Sequence, residues 1–325
     1  MQRSDSPATD RHPSGAELTI SRGAETARIV TVGASLASYR AFGRDLVVPF
    51  EVTEIRPAFR GATLAPWPNR IPDGSYLFDG EQQLPLTEPG RGHAIHGLVA
   101  WLDWSVIEHS EHAVTLATTI VPQPGYPWRV YVTTEYRLGS DGLTQTVTAR
   151  NDSATRAPFG AGPHPYLVAP NGALDTWELE LPAATVLLTD DRLSPRALAE
   201  VTHEPERFDF REARRIGAVE LDHAFTELSR GVDGLARVRV TDAYGHGAEM
   251  RFDERCPWVQ VHTADQANRA VNRLGLAVEP MTCAPAAFQS GQDLLVIAPG
   301  AEVAAAWTIA PIEPAPGQLE ARPIE

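Results

Sequence analysis

Residues 129–150 read RVYVTTEYRLGSDGLTQTVTAR. Val130, Val132, Thr134, Tyr136 and Leu138 fall on every second position, and after Gly139-Ser140-Asp141-Gly142 the alternation resumes with Leu143, Gln145, Val147 and Ala149. Successive side chains of a strand point to opposite faces, so two alternating runs joined by a Gly/Asp turn predict an antiparallel hairpin with one covered face.

Working outward, residues 112–120 carry the same period, with His112, Val114, Leu116, Thr118 and Ile120 on one face. Similar runs lie at 16–22, 26–32, 103–109, 174–181, 235–242, 248–253, 258–263 and 302–309. Helical periodicity is nearly absent, and 27 Pro and 25 Gly are spread along the chain. Many short strands broken by turns predict an all-β fold, a sandwich or a barrel. Residues 1–14 have no periodicity and read as a disordered leader, and residues 314–325 as a Pro/Glu-rich tail, leaving one domain over 15–313. A chain of 325 residues buries roughly three quarters of its unfolded surface, so a core alone can hold it together.

The net charge is −14, and all 28 basic residues are Arg. An acidic surface repels phosphate backbones and anionic headgroups, so neither nucleic acid nor membrane is expected as a partner. No stretch approaches the ~20 apolar residues of a membrane span, and Met1 to Pro13 is too polar for a secretory signal. The expectation is a cytoplasmic protein, monomer or homodimer, with a small-molecule partner. Cys256 and Cys283 lack the spacing of a metal knuckle or redox pair and read as two reduced thiols.

Five segments set ionisable groups among Gly, Pro and aromatics, as binding loops on a rigid frame do. In Ala65-Pro66-Trp67-Pro68-Asn69-Arg70-Ile71-Pro72, three prolines stiffen the backbone around Asn69 and Arg70, whose planar fork suits vicinal hydroxyls or a carboxylate. Gly92-His93-Ala94-Ile95-His96-Gly97 offers two imidazoles. With no carboxylate or thiolate adjacent, hydrogen bonding by His96 is favoured over metal binding, and nearby Trp101 and Trp104 suit the apolar face of a sugar. In Gly160-Ala161-Gly162-Pro163-His164-Pro165-Tyr166-Leu167, His164 is clamped between prolines. It is either an acid–base group or a structural histidine bonded to backbone. Asp222, in Glu220-Leu221-Asp222-His223-Ala224-Phe225, reads in isolation as a turn residue before it reads as a hydroxyl acceptor. Glu279 ends the apolar run Leu276-Ala277-Val278 before Pro280, where desolvation would raise its pKa and strengthen it as a base.

Taken together and in this order, the segments resemble the aldose 1-epimerase family, also called galactose mutarotases, over roughly residues 15–311. The resemblance runs through Asn69-Arg70-Ile71 with Gly74-Ser75-Tyr76-Leu77-Phe78-Asp79-Gly80, His96-Gly97 with Trp101 and Trp104, Gly162 to Tyr166, Asp222 to Phe225, and Glu279 to Thr282. It implies a large single-domain antiparallel β-sandwich with the site in a cleft on one sheet, and no cofactor or metal. It implies His164 as general acid and Glu279 as general base, with Arg70, His96 and Asp222 on sugar hydroxyls and Asn69 and Tyr166 nearby. The His-Pro-Tyr-Leu run at 164–167 departs from the best-known galactose mutarotases and resembles a less characterised bacterial branch.

Such an enzyme interconverts the α and β anomers of a free aldohexose. One proton leaves the C1 hydroxyl while another reaches the ring oxygen, so a base and an acid must each sit within ~3 Å of their target. Three rival readings remain on the same residues. A hexose-6-phosphate 1-epimerase would need extra Arg, for which Arg56, Arg60 and Arg91 are the candidates. A carbohydrate-binding protein without turnover would keep the cleft alone. A glycosidase would use two carboxylates, with Asp222 and Glu279 as the pair.

Overall fold

The hairpin at 130–151 is the spine of a nine-stranded antiparallel sheet. Strands Val130–Gly139 and Gly142–Asn151 run in unbroken register from Val130 opposite Asn151 to Gly139 opposite Gly142. The five alternating residues Val130 to Leu138 are at most 3 % exposed, as expected for a sheet with one face on a core. The sheet continues on one side through Ala113–Ile120 to Ser105–His109. On the other it runs through Glu302–Ile312, Gly247–Phe252, Ala236–Thr241 and Glu178–Glu180 to Arg214–Arg215. The computed structural model describes residues 12–314; the rest of the expected leader and tail lies outside them.

A second, six-stranded antiparallel sheet packs across the core. Its order is Tyr166–Leu167, Leu276–Met281, Trp258–His262, Asp222–Leu228, Ala183–Thr189 and Pro195–Glu200. Leu276, Val278, Val259, Val261 and Phe225 point inward and join the main apolar cluster with residues of the nine-stranded sheet, including Val132, Tyr136 and Trp307. The alternate residues, Ala277, Glu279, Gln260, His262, Asp222 and Ala224, therefore lie on the opposite face. A four-stranded sheet over residues 17–45 and four short strand pairs complete the fold: Thr63–Leu64 with Gly162–Pro163, Arg70–Pro72 with His93–Ile95, Ser75–Leu77 with Glu81–Gln83, and Ala157–Phe159 with Leu295–Ile297. None of the described helices is long and apolar enough to cross a membrane.

Some local expectations change. The run at 174–181 is not one strand: Leu174–Thr176 is a 3-10 turn and only Glu178–Glu180 is extended. Asp222 is no turn residue but opens strand Asp222–Leu228. Glu279 sits inside its strand rather than at its end. Ser14 is folded in, with its amide donating to the Val52 carbonyl and its hydroxyl to that of Glu54. Cys256 and Cys283 are free and buried.

Candidate active site

The outer face of the six-stranded sheet supplies the floor. Register pairs Gln260 with Glu279 and Asp222 with His262, so three neighbouring strands present a carboxylate, an amide, a second carboxylate and an imidazole side by side. The Gln260 amide donates to Asp222 Oδ1 at 2.6 Å, and the His262 ring donates through Nδ1 to the Leu221 carbonyl at 3.0 Å.

His164 reaches this floor from the segment just before Tyr166. The His164 amide donates to the Ala62 carbonyl, the His164 carbonyl accepts from Gly61, and Pro165 accepts from the Val278 amide. The backbone is thus tied to the Glu279 strand on one side and to residues 61–62 on the other. The approach is close: a Cβ on Gly162 would come within 2.7 Å of the Pro280 carbonyl oxygen, which explains the glycine. His164 Nε2 ends 3.5 Å from Glu279 Oε1, and the two residues are only 5 % and 2 % exposed.

The loops at 65–72 and 88–97 bring Arg70 and His96. Strands Arg70–Pro72 and His93–Ile95 pair antiparallel. Arg70 is held between two carboxylates, Nε 2.9 Å from Glu88 and Nη2 3.6 Å from Asp222. Asn69 Oδ1 accepts from the Arg70 amide at 2.9 Å, and Asn69 adopts a φ of 56°, a conformation Asn tolerates better than most residues. His96 takes a φ of 60°, a strain of order 1–3 kcal/mol that the surrounding contacts must hold. Its ring lies edge-on to His164, with centroids 4.9 Å apart. Tyr166 stacks on the other side of His164 at 5.2 Å, and its hydroxyl donates to the Ala58 carbonyl. His93 turns away and bonds the Arg192 carbonyl. Among the described residues no three His, Cys, Asp or Glu gather as a metal site would need.

Asn69, Arg70, His96, His164, Tyr166, Asp222 and Glu279 therefore meet at one place, whereas Trp104, expected to suit a sugar face, is 2 % exposed in the core with its indole donating to the Val99 carbonyl. Glu88, Gln260, His262 and Phe59 join the seven without having been singled out. Gln260 and His262 alternate within strand Trp258–His262, so once Asp222 is known to pair with that strand their direction follows. Glu88 lies in a Thr-Glu-Pro-Gly turn with no signal of its own.

The electrostatics separate the two central groups. Burial, then the negative charge of Asp222, pushes the Glu279 carboxyl well up, against the pull of Arg70. Burial, then His262, lowers the His164 imidazole to about 3. Burial, then His164, also lowers His96. Asp222 behaves in the opposite way: burial would raise it, but His262, Arg70 and the Gln260 amide outweigh that and keep it ionised. Both shifts favour the neutral forms of the central pair, a neutral imidazole and a protonated carboxyl, the reverse of the order that unperturbed values of ~4.3 and ~6.5 would give.

Three buried polar atoms of this cluster have no partner: His96 Nδ1, His164 Nδ1 and Glu279 Oε2. Buried polar atoms are normally satisfied, and exceptions gathered in one cluster mark a place that a ligand completes.

The two-sheet sandwich carries an imidazole–carboxylate pair beside an Arg and a second carboxylate, groups able to donate and accept protons. The chain belongs to the aldose 1-epimerase family, whose model matches residues 16–309. It is 36 % identical over 299 residues to the uncharacterized protein YihR of Escherichia coli (strain K12), covering 90 % of this chain and 92 % of that protein, a relative that fits the less characterised branch. Among solved structures it resembles a GalM/aldose epimerase homologue from C. elegans, with TM-score 0.80 at 19 % identity over 92 % of this chain and 99 % of that one. It also resembles a galactose 1-epimerase from Lactobacillus acidophilus NCFM, with TM-score 0.75 at 19 % identity over 91 % and 94 %. These structural likenesses establish the fold.

The Glu88–Arg70 contact yields a prediction. Glu88→Gln leaves Arg70 to Asp222 and Glu279 alone, so its charge acts more strongly on both. Acid–base turnover at this site should fall about ten-fold, and because the pair is largely covered, with side chains 10 % and 19 % exposed, the melting temperature should fall as well. Unchanged kinetics by polarimetry would mean that Arg70 is positioned by Asn69 and Asp222 without it.

Proposed function

We propose that the protein is an aldose 1-epimerase for an unphosphorylated aldose, interconverting its anomers through ring opening between His164 and Glu279. The observation that carries this reading is the 3.5 Å separation of His164 Nε2 and Glu279 Oε1 in a buried cluster with unpartnered atoms. The ring oxygen and the C1 hydroxyl oxygen hang on one carbon, so two groups this close address both from the same side.

The chemistry follows from one shared proton. Sugar hydroxyls donating to Glu279 favour its charged form and drive the proton to His164, because hydrogen bonds to a carboxylate offset its desolvation. Glu279 then removes the C1 hydroxyl proton while His164 delivers one to the ring oxygen. The C1–O5 bond breaks and the C1 carbonyl forms. Rotation about C1–C2 turns the other face to the ring hydroxyl, and reclosure runs with the roles reversed. No electrons leave the sugar, so the steps need no redox partner. Arg70, His96 and Asp222 hold hydroxyls away from the reacting carbon. Asp222 also keeps Glu279 basic.

The free-sugar reading is favoured over the 6-phosphate by where the candidate arginines lie. Arg56 is 3 % exposed, and its two Nη groups are spent on Ser35 and the carbonyls of Val32 and Ala100. Arg91 pairs with Glu88. Arg60 alone stands near the site, over the Tyr166 ring, and a phosphate usually draws bidentate or multiple cationic contacts.

The test is polarimetry on freshly dissolved α-D-glucose, α-D-galactose and glucose 6-phosphate, with a nitrophenyl glycoside as control. Acceleration should be at least ten-fold greater in kcat/KM for a free hexose than for its phosphate. Preference for the phosphate overturns the free-sugar reading, and release of nitrophenol would make Asp222 and Glu279 a glycosidase pair instead.

A further inference from the structure

Outside the catalytic cluster one aromatic residue stands apart. Trp101 is 52 % exposed, yet it is fixed from beneath. The Arg56 guanidinium carbon lies 4.3 Å from its ring centroid, and Phe59 meets it at 5.4 Å. With one face on a cation and one side on Phe59, so large a remaining exposure means that the other face is open to solvent.

The support is built rather than incidental. Arg56 is buried, bonds Ser35 and the Val32 and Ala100 carbonyls, and pairs with no carboxylate among the described residues. Its Nε has no partner, and burial lowers its pKa to about 10. A buried unpaired cation is costly, and contact with the faces of Trp101 and Phe59 is what offsets it. The guanidinium also needs Gly33, since a Cβ there would meet Arg56 Nη1 at 2.4 Å and the Ala100 carbonyl oxygen at 2.3 Å.

This platform is continuous with the site. Phe59 lies 4.7 Å from the His96 ring and 6.1 Å from His164, nearly parallel to the latter at 22°. The rings therefore run outward from buried His164 through partly covered Phe59 to open Trp101, and Trp101 is one aromatic ring beyond the groups that would hold the reacting sugar.

We propose that Trp101 is the floor of an outer subsite for a second glycosyl ring, so that the preferred substrate is the reducing end of a disaccharide or longer saccharide rather than a lone hexose. This deepens the epimerase reading and rests on it for the word substrate. An open tryptophan face held in one orientation offers a sugar's C–H face a flat apolar partner at little entropic cost. A glycosyl ring, unlike a protein partner, needs only a surface of that size. Leu102 at 37 % exposure widens the apolar area beside it.

The experiment compares maltose, cellobiose and lactose with glucose and galactose in the wild type, Trp101→Ala and Trp101→Phe. The expected result is a wild-type kcat/KM higher for at least one disaccharide than for its reducing monosaccharide. Trp101→Ala should lower that ratio about ten-fold, through KM, and Trp101→Phe should restore part of it. A ratio left unchanged by Trp101→Ala overturns the subsite, whether both substrates lose equally or neither does. Saturation-transfer NMR with methyl maltoside, which cannot anomerise, reads the same surface without turnover. Contacts from its non-reducing ring that vanish in Trp101→Ala support the subsite even if no anomerisation is accelerated, in which case the epimerase reading fails alone. Contacts from one ring only, unaffected by the substitution, overturn the subsite.

Discussion

Glu279→Gln should abolish nearly all turnover and at the same time make the protein more stable at neutral pH. The amide keeps the shape of the side chain but cannot accept the C1 hydroxyl proton, and a positioned proton transfer is worth ~10²–10⁴ in rate. A loss of kcat of at least ~10² by polarimetry is expected. The stability gain follows from the raised pKa of the carboxyl. A group whose folded pKa exceeds its unfolded value binds more protons in the native state. Its contribution is fully present below the unfolded pKa, and it is lost as pH rises through the folded one. The amide does not titrate. The variant and the wild type should therefore melt together near about pH 4, and the variant should melt higher at about pH 8. A lower Tm for the variant at the alkaline end would contradict a protonated Glu279, and wild-type turnover would remove Glu279 from the mechanism.

His164→Asn should be the second large effect. Asn is near the imidazole in size and keeps a polar group in its place, but it cannot carry a proton to the ring oxygen, so a loss of at least ~10² in kcat is again expected. The pH signature is opposite in sign to that of Glu279. Burial lowers His164 to about 3, so the unfolded chain takes up a proton through the ordinary histidine range while the folded one does not. Wild-type stability falls as pH drops from about 6.5 towards the depressed value, and His164→Asn should be spared that part of the fall. Differential scanning fluorimetry on acid titration reads it, and parallel titrations of the two proteins would show that His164 is not buried neutral. The pair also sets the rate profile. The proposed mechanism needs one proton between the two groups, so kcat/KM should fall on the acid side only as His164 takes a second, towards about pH 3. Histidine-controlled loss near neutrality is not expected.

These two variants act on residues that the sequence marks through their neighbours. His164 between prolines and Glu279 ahead of one stand out because rigid backbone and ionisable groups seldom coincide without reason. The hairpin at 130–151 is equally legible, since one side of its sheet meets the core and the other does not. The six-stranded sheet is harder to read. Leu276–Met281 is buried at every position, with the core on one face and the site cluster on the other, so no polar–apolar alternation betrays it as a strand. Asp222 looks like a turn residue for a related reason: only pairing with His262 across the sheet makes it extended. The order of the proton affinities was also hidden. It depends on the burial of His164 and on Asp222 lying beside Glu279, neither of which local sequence encodes. Glu88, which reaches Arg70 from a surface turn, had no local mark at all.

The strand that bears Glu279 does two jobs on alternate residues. Leu276 and Val278 hold the sandwich together, while Ala277 and Glu279 face outward. On this strand the outward positions, 277 and 279, can thus change while the inward ones, 276 and 278, keep the architecture standing. Chains can accordingly differ widely in sequence while remaining superimposable, as the TM-scores of 0.80 and 0.75 at 19 % identity show. The small outward alanines at 224 and 277 are themselves covered, at 2 % and 0 % exposure, packed with Trp258 and Met281 and with Tyr166, so bulk added there would strain the walls of the site rather than reshape an open surface.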